Sequence, residues 1–252
     1  MYHKVVQPMN AILILGATSD IAQSIAKVYA SHNFTIMLAG RCTEKIDLVR
    51  SDLEIRHKIQ VTTHFFDADQ SHEEHQRFYE SLPAPPTLVI YCIGYLGDQR
   101  KAQTHWPESQ NIFISNYTGA ISILSIVAND MEQRNKGLIV GISSVAGDRG
   151  RQSNYLYGSA KAGFSAFLSG LRNRLYKSNV HVMTVKPGFV NTKMIDGMKL
   201  PGPLIAQPDQ LAGKIYRAAR AKKNTIYILS IWRWVMLLIR LIPEPLFKRM
   251  NL

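Results

Sequence analysis

Cysteine is scarce in this chain. Of 252 residues only Cys42 and Cys92 are cysteine, and they stand far apart, each in or beside an apolar run. Two such thiols build no disulfide framework and fit a reducing compartment. No Cys/His cluster has the spacing of metal ligands, so a metal site is not expected. Long apolar runs are also lacking. None reaches the roughly 18 uninterrupted apolar residues of a spanning helix. The first ten residues, Met1 to Asn10, are short and polar and lead into an apolar run that ends at a glycine turn, which argues against a signal peptide. Acids are the minority charge, 18 against 30 Lys and Arg, for a formal net charge of +12. The imbalance is partly local: from Pro201 to Leu252 there are nine Lys and Arg and two acids. That excess suits a solvated face, an anionic membrane surface, a phosphorylated substrate or nucleic acid. No nucleic-acid motif or basic–aromatic array occurs outside the C-terminal segment, so no nucleic-acid partner is expected.

What is present is an alternation. Hydrophobic residues make up 46% of the chain, and apolar runs of strand length recur at Ala11–Leu15, Phe34–Ala39, Gln60–Phe66, Thr87–Cys92, Leu138–Ser143, His181–Lys186 and Thr225–Leu229. Between them lie stretches of helical period, among them Ile21–Ser31, Ile112–Met131 and Leu156–Tyr176. Strands alternating with helices predict an α/β fold: a doubly wound, Rossmann-like parallel sheet of about seven strands with helices on both faces. No linker or repeat divides the chain, and its length suits one domain. The reading is one nucleotide-binding domain over residues 1–230, with 231–252 as its amphipathic C-terminal helical extension. The longest irregular piece is Thr192–Pro208. Ligands in such sheets bind at the carboxyl ends of the strands.

Three places there carry chemistry. The first is Ile12-Leu13-Ile14-Leu15-Gly16-Ala17-Thr18-Ser19-Asp20-Ile21-Ala22, a strand, a small polar turn and a helix start. A helix N-terminus offers free N–H groups to a pyrophosphate, and Gly16 permits the tight turn; a plain strand–helix junction would read the same way. The second is the end of the second strand, Leu38-Ala39-Gly40-Arg41. An acid there would bond the ribose 2′-hydroxyl of NAD, and a basic residue accommodates the 2′-phosphate of NADP. With Gly40 in the acid's place and Arg41 next, NADP is preferred over NAD. The third is Tyr157 and Lys161, at i and i+4 on one helix face. Ser144 lies thirteen residues before Tyr157, just after a strand, and Asn116 lies in the helix after the fourth strand.

In this order and spacing Asn116, Ser144, Tyr157 and Lys161 resemble the short-chain dehydrogenase/reductase family, and the resemblance covers essentially the whole chain. Gly16 to Ala22 is similar to the family's Thr-Gly-x3-Gly-x-Gly turn, with Asp20 and Ala22 where the second and third glycines would be. Asp67 and Ala68 resemble the adenine-contacting pair. Cys92-Ile93-Gly94 fills the place of the family's Asn-Ala-Gly. Pro187-Gly188-Phe189-Val190-Asn191-Thr192 resembles its Pro-Gly-x-Val-x-Thr segment.

The resemblance implies a hydride transfer between a nicotinamide and a carbonyl or hydroxyl carbon. Tyr157 would be general acid, with its pKa pulled down from near 10 by Lys161 and the oxidised nicotinamide. Ser144 would donate to the substrate oxygen, Lys161 would bond the nicotinamide ribose, and Asn116 would hold a relay water. The cofactor contacts implied are Gly16, Thr18, Ser19, Asp20, Ile21, Arg41, Asp67, Ala68, Cys92, Ile93, Gly94, Tyr157, Lys161, Pro187, Gly188, Val190 and Thr192, the last on the nicotinamide carboxamide. The family's dimers and tetramers imply a homo-oligomer.

A narrower resemblance is to the decaprenylphosphoryl-2-keto-ribose reductases. It rests on Gly16–Ile21 with its acid, on Gly94-Tyr95-Leu96-Gly97-Asp98, on Ser143 to Arg151 with Asn154, and on Trp232 to Pro243 followed by Phe247-Lys248-Arg249. It implies reduction of the 2-keto group of a polyprenyl-phosphoryl pentose to an arabinose donor, after a separate flavin oxidase. The alternative is a reductase of another carbonyl, such as a ketoacyl thioester, steroid or soluble sugar. Asp98, Arg149, Arg151 and Asn154 are the candidate substrate contacts, the arginine forks being suited to phosphate. The C-terminal helix, apolar with Trp and basic residues interspersed, suits either a membrane interface or packing in the core or between subunits. The expected location is the cytoplasm, with peripheral contact on the inner membrane face.

Overall fold

The computed structural model describes residues 10–197 and 200–251. The residues before Asn10, on which the expectation of no leader rests, lie outside the described residues, as do 198 and 199 within the irregular stretch. Seven parallel strands form the central sheet: β1 (Ala11–Leu15), β2 (Thr35–Gly40), β3 (Val61–Phe65), β4 (Leu88–Tyr91), β5 (Gly137–Ile142), β6 (Val180–Pro187) and, last in the chain, β9 (Thr225–Ile228). Their order across the sheet is β3-β2-β1-β4-β5-β6-β9. Two short strands, β7 (Phe189–Val190) and β8 (Ile205–Ala206), pair with each other away from it. The seven strand-length apolar runs in the sequence are these seven strands, within a residue or two at each end.

The helices are α1 (Asp20–Ala30), α2 (Thr43–His57), α3 (His72–Glu80), α4 (Gln99–Thr104), α5 (Trp106–Phe113), α6 (Gly119–Gln133), α7 (Tyr155–Arg174), α8 (Pro208–Arg220), α9 (Ile231–Leu241) and α10 (Glu244–Phe247). They cover both faces of the sheet, which is why β1 is apolar at every position rather than alternately. Successive side chains of a strand point to opposite faces. Ile12 and Ile14 therefore pack on the side of α1 and α8, with Ile25, Leu211 and Ile215. Leu13 and Leu15 pack on the side of α6 and α7, with Ile123, Leu124, Phe164 and Leu168. β1 pairs with β2 on one edge and β4 on the other. The crossover direction reverses there, and that reversal opens a crevice at the strands' carboxyl ends.

One helical feature differs from the sequence reading. The expected helix Ile112–Met131 is part of a continuous helical run, Trp106–Gln133, interrupted by a π-helical turn at Ile114–Thr118. By length and composition this run is the one described helix capable of crossing a bilayer. Its apolar side, including Ile112, Ile123, Val127 and Met131, is buried in the protein's own core. The C-terminal α9 carries Arg233 and Arg240 among its apolar residues and buries only part of its apolar surface. Trp232 and Met236 are buried against Val145, with Phe189 edge-on to the indole at 5.3 Å. Trp234, Leu237, Leu238 and Leu241 are exposed.

Candidate active site

The first turn is built around Gly16. Its φ of +88° lies in the region that favours glycine, and a Cβ there would sit 2.9 Å from Ile93 Cγ1 and 3.0 Å from Ile93 N. The tight turn lets Gly16 N and Ala17 N donate to Ala39 O at 2.9 and 3.0 Å, joining β1 to the end of β2. Ser19 caps α1, its hydroxyl accepting the Ala22 N–H at 3.1 Å. The turn opens onto a cleft of about 590 Å³ at the carboxyl ends of β1 to β4. Gly16, Thr18 and Ser19 form one wall, Arg41 the β2 side, Asp67 and Ala68 the β3 side, and Cys92, Ile93 and Gly94 the β4 side. Nine of the expected cofactor contacts thus converge on one cavity. Its crowded glycine turn, its position at a helix N-terminus and its length across four strands fit a dinucleotide.

Two cations in that wall were missed. Lys45 enters from the first turn of α2, four residues beyond Arg41; that spacing after a basic residue was the available signal. Lys193 enters from the stretch after β7, and nothing near it in sequence signals this. Asp20 and Ile21 sit behind the wall. Ile21 packs on the core, and the Asp20 carboxylate accepts the Lys193 backbone N–H at 3.1 Å. Asp67 is held by its backbone. His75, fully buried and stacked on Phe66, bonds Asp67 O through Nε2 at 2.9 Å and the Ser122 hydroxyl through Nδ1 at 2.8 Å.

At the inner end of the cleft the four expected catalytic residues come together. Asn116 lies in the π turn, a feature that recurs at functional sites. The turn directs its amide so that Nδ2 donates to Tyr95 O at 2.6 Å and to Ile112 O at 2.8 Å. Gly94 is the meeting point. A Cβ there would lie 3.2 Å from Asn116 Oδ1 and 3.5 Å from Lys161 Nζ. Lys161, on the inner face of α7 and 3% exposed, donates to Ile142 O at 3.0 Å. Its ammonium lies 5.7 Å from the centroid of the Tyr157 ring, one turn earlier on the same face. Ser144 lies two residues past β5 and caps the turn Val145–Asp148, its Oγ accepting the Ala146 N–H at 3.1 Å.

Burial sets the protonation of both partners. It pulls the Lys161 amine down to about 7, partly opposed by the Cys92 thiol. It pushes the Tyr157 phenol up to about 12, opposed by the neighbouring Ser144 hydroxyl. The lysine was expected to draw the phenol down; removal from water raises it instead, and the neighbour that opposes the rise is the Ser144 hydroxyl. The Cys92 thiol, also buried, is pushed up to about 12.

The remaining expected residues divide. Pro187 is buried at the end of β6, Val190 is buried in β7, and the Thr192 hydroxyl donates to Val190 O at 3.2 Å. Gly188 is required for another reason than a cofactor's approach: a Cβ there would overlap the Trp232 indole, so this glycine seats α9. Asp98 is not free for a substrate through Oδ1, which caps α4 by accepting from Arg100 N and Lys101 N at 2.8 and 3.0 Å. Arg149 is corrected outright. Its guanidinium donates to the carbonyls of Ile239, Arg240 and Ile242 at the C-terminal end of α9, pairs with Glu244 at 3.1 Å and covers the Phe247 ring at 3.6 Å. Those bonds leave it no fork for a phosphate.

Arg151 and Asn154 remain. The Nε of Arg151 and the Oδ1 of Asn154 are buried and have no hydrogen-bond partner among the described residues. A third unpartnered atom joins them, the Nε2 of Gln99, whose Oε1 accepts the Leu156 N–H at 3.1 Å. Arg151 and Asn154 lie just before α7, and Gln99, at the start of α4, meets the first turn of α7 through Leu156. Gln99 was not anticipated, because its neighbour on α7 lies 57 residues away.

Comparison with known proteins agrees with this geometry. A family model described as short chain dehydrogenase matches residues 10–200. An uncharacterized oxidoreductase of Mycobacterium tuberculosis is 34% identical over 242 residues, covering 95% of this chain and 96% of the relative. Another from Streptomyces coelicolor is 31% identical over 249 residues, covering 96% of each. A short-chain dehydrogenase from Sphingobium yanoikuyae, solved in complex with NADPH, superposes with a TM-score of 0.81 at 20% identity, covering 96% of each chain. The chain belongs to the short-chain dehydrogenase/reductase family. It is an NAD(P)-dependent oxidoreductase that interconverts CH–OH and C=O groups.

Proposed function

We propose that this enzyme reduces a keto group on a hydroxylated, phosphate-bearing ring carried by a long apolar chain, namely the 2-keto group of a polyprenyl-phosphoryl pentose, with NADPH as the reductant. The observation that carries the substrate class is the trio of unspent polar atoms on Gln99, Arg151 and Asn154. Buried polar groups without partners are costly, by about 1–3 kcal/mol each. Two donors and one acceptor around the start of α7, the helix that carries Tyr157, match a ring bearing hydroxyls and a phosphate oxygen far better than a hydrocarbon. Arg41 just after β2 and Lys45 in the first turn of α2, with no acid at Gly40, support the 2′-phosphate of NADP over NAD.

The apolar tail has a surface to follow. The exposed side of α9 carries Trp234, Leu237, Leu238 and Leu241, with Arg233, Arg240, Lys248 and Arg249 nearby in sequence. Such a helix suits the interface of an anionic membrane. Cytoplasmic location with peripheral membrane contact, a homo-oligomeric state and a flavin oxidase supplying the ketone belong to this same reading.

The catalytic roles follow from the protonation states. Burial keeps the Tyr157 phenol protonated at neutral pH, so it holds the proton that the substrate oxygen must gain. Ser144 can donate its hydroxyl hydrogen to the same oxygen and stabilise charge as it develops there. Lys161, titrating near 7, is both a donor and an acceptor at working pH. With Asn116 beside it at Gly94, it can return a proton toward Tyr157. The nicotinamide, when bound, supplies the hydride. Pro187 to Thr192 would flank it.

Consumption of NADPH and NADH in parallel, with a short-chain polyprenyl-phosphoryl 2-keto-pentose, tests the proposal. Turnover to the arabinose epimer with NADPH is the expected result. Turnover confined to a ketoacyl thioester, a steroid or a free sugar would replace this substrate with that one.

A further inference from the structure

One hydrogen bond joins the nucleotide turn to the far end of the chain. The Asp20 carboxylate, at the first position of α1, accepts the backbone N–H of a residue 173 positions away, Lys193. Lys193 follows Thr192 and opens a short 3₁₀ turn, Lys193–Ile195. Its side chain forms part of the same cleft wall as Gly16, Thr18 and Ser19, and its ammonium makes no ion pair among the described residues. Asp20 stands at the turn where a dinucleotide's pyrophosphate meets the positive end of α1. A carboxylate there opposes a bound anion. The bond to Lys193 changes that balance, because the aspartate oxygen turned to the far loop brings a lysine with it.

We propose that Lys193 is a pyrophosphate-binding residue of this enzyme and that Asp20 is the positioning residue that holds it over the turn. The inference rests on the dinucleotide occupying this cleft. The pyrophosphate is common to NADPH and NADH, whereas the 2′-phosphate beside Arg41 and Lys45 belongs to NADPH alone. Lys193 therefore strengthens both cofactors equally and contributes nothing to the choice between them. Its charge is exposed, so its effect is modest and screened by salt. The Asp20–Lys193 bond makes the two residues one unit, so their effects are not additive.

The experiment is equilibrium binding by the full chain, read from nicotinamide fluorescence for NADPH and NADH and by calorimetry for adenosine 2′-monophosphate, which has no pyrophosphate. Lys193→Met is expected to weaken both dinucleotides about fivefold at low salt, with the loss shrinking at high salt, and to leave the adenosine 2′-monophosphate Kd unchanged. Asp20→Ala is expected to weaken them by a similar factor, with the double variant little worse than either. Asp20→Asn keeps an oxygen acceptor and is expected to stay within twofold of the parent. Melting temperatures of the variants check that the fold is intact. Unchanged dinucleotide binding in Lys193→Met overturns the proposal, as does equal weakening of adenosine 2′-monophosphate, which would mark a general charge effect. Tighter binding in Asp20→Ala would mean that the carboxylate only repels, and overturns the role of Asp20. A parent that binds neither dinucleotide overturns the cofactor assignment of the cleft itself, which these outcomes separate from failure of Lys193 alone.

Discussion

Replacing Lys161 with methionine isolates the electrostatic cost of the site. Met matches the length of the lysine stem, fills the same inner face of α7 and carries no charge. In the fold the amine titrates near 7; in an unfolded chain it titrates near 10.4. Above about pH 10.4 both states hold it neutral and burial costs nothing. Below about pH 7 both hold it charged, and the fold bears the full difference of about 3.4 pH units, roughly 5 kcal/mol as an upper figure. Between those limits the unfolded chain binds more protons than the folded one, so stability rises with pH. From pH 7 to 9.5 the parent should gain roughly 3 kcal/mol at most relative to Lys161→Met. The assay is urea unfolding of both proteins at half-unit steps across that range, without cofactor. All other titrations are shared and cancel in the difference. Tyr157 acts with the opposite sign: its raised pKa adds stability that is lost as pH climbs from 10 toward 12, and a ceiling of pH 9.5 keeps it out. Parallel curves would refute the reasoning, because they would mean that Lys161 keeps its proton in the fold and is no acceptor at neutral pH.

Tyr157→Phe should retain NADPH binding by fluorescence titration and lose turnover by about 10²–10⁴-fold; a rate near that of the parent would remove Tyr157 from the proton's path. Gly188→Ala forces a Cβ into the Trp232 indole and should cost about 1–3 kcal/mol of stability, and Trp232→Ala should cost roughly 3–5 kcal/mol. The double variant should cost less than their sum, since each relieves the other, and strict additivity in urea unfolding would deny the contact. Arg149→Met should speed amide hydrogen exchange across Ile239–Phe247, where its guanidinium now bonds, and leave the NADPH Kd unchanged. Unchanged exchange with a raised KM for the phosphorylated substrate would return Arg149 to the substrate.

The sheet was legible because its signal is local. Parallel strands covered on both faces must be continuous apolar runs, and seven such runs separated by helical periods leave little choice of architecture. The π turn at Ile114–Thr118 was not legible. It inserts no proline or glycine break within Ile114-Ser115-Asn116-Tyr117-Thr118, and it shows itself only in the bonds from Asn116 to Tyr95 and Ile112. Nor was the order of pKa values. Tyr157 and Lys161 can be paired from their spacing, but burial raises the one and lowers the other, and burial is a property of the assembled core.

The arginines show where sequence reasoning ends. Arg149 and Arg151 stand two residues apart on one loop, with the same chemistry and the same claim on a phosphate. Arg149 is spent on the carbonyls of Ile239, Arg240 and Ile242. A carbonyl is the same at every position, so no residue type announces it, and the helix that presents it arrives from 90 residues downstream. Arg151 keeps a buried Nε without a partner. What separates a structural arginine from a ligand-binding one is therefore hydrogen-bonding capacity left over after folding. The same test that removes Arg149 from the substrate admits Gln99, which the sequence had given no reason to choose.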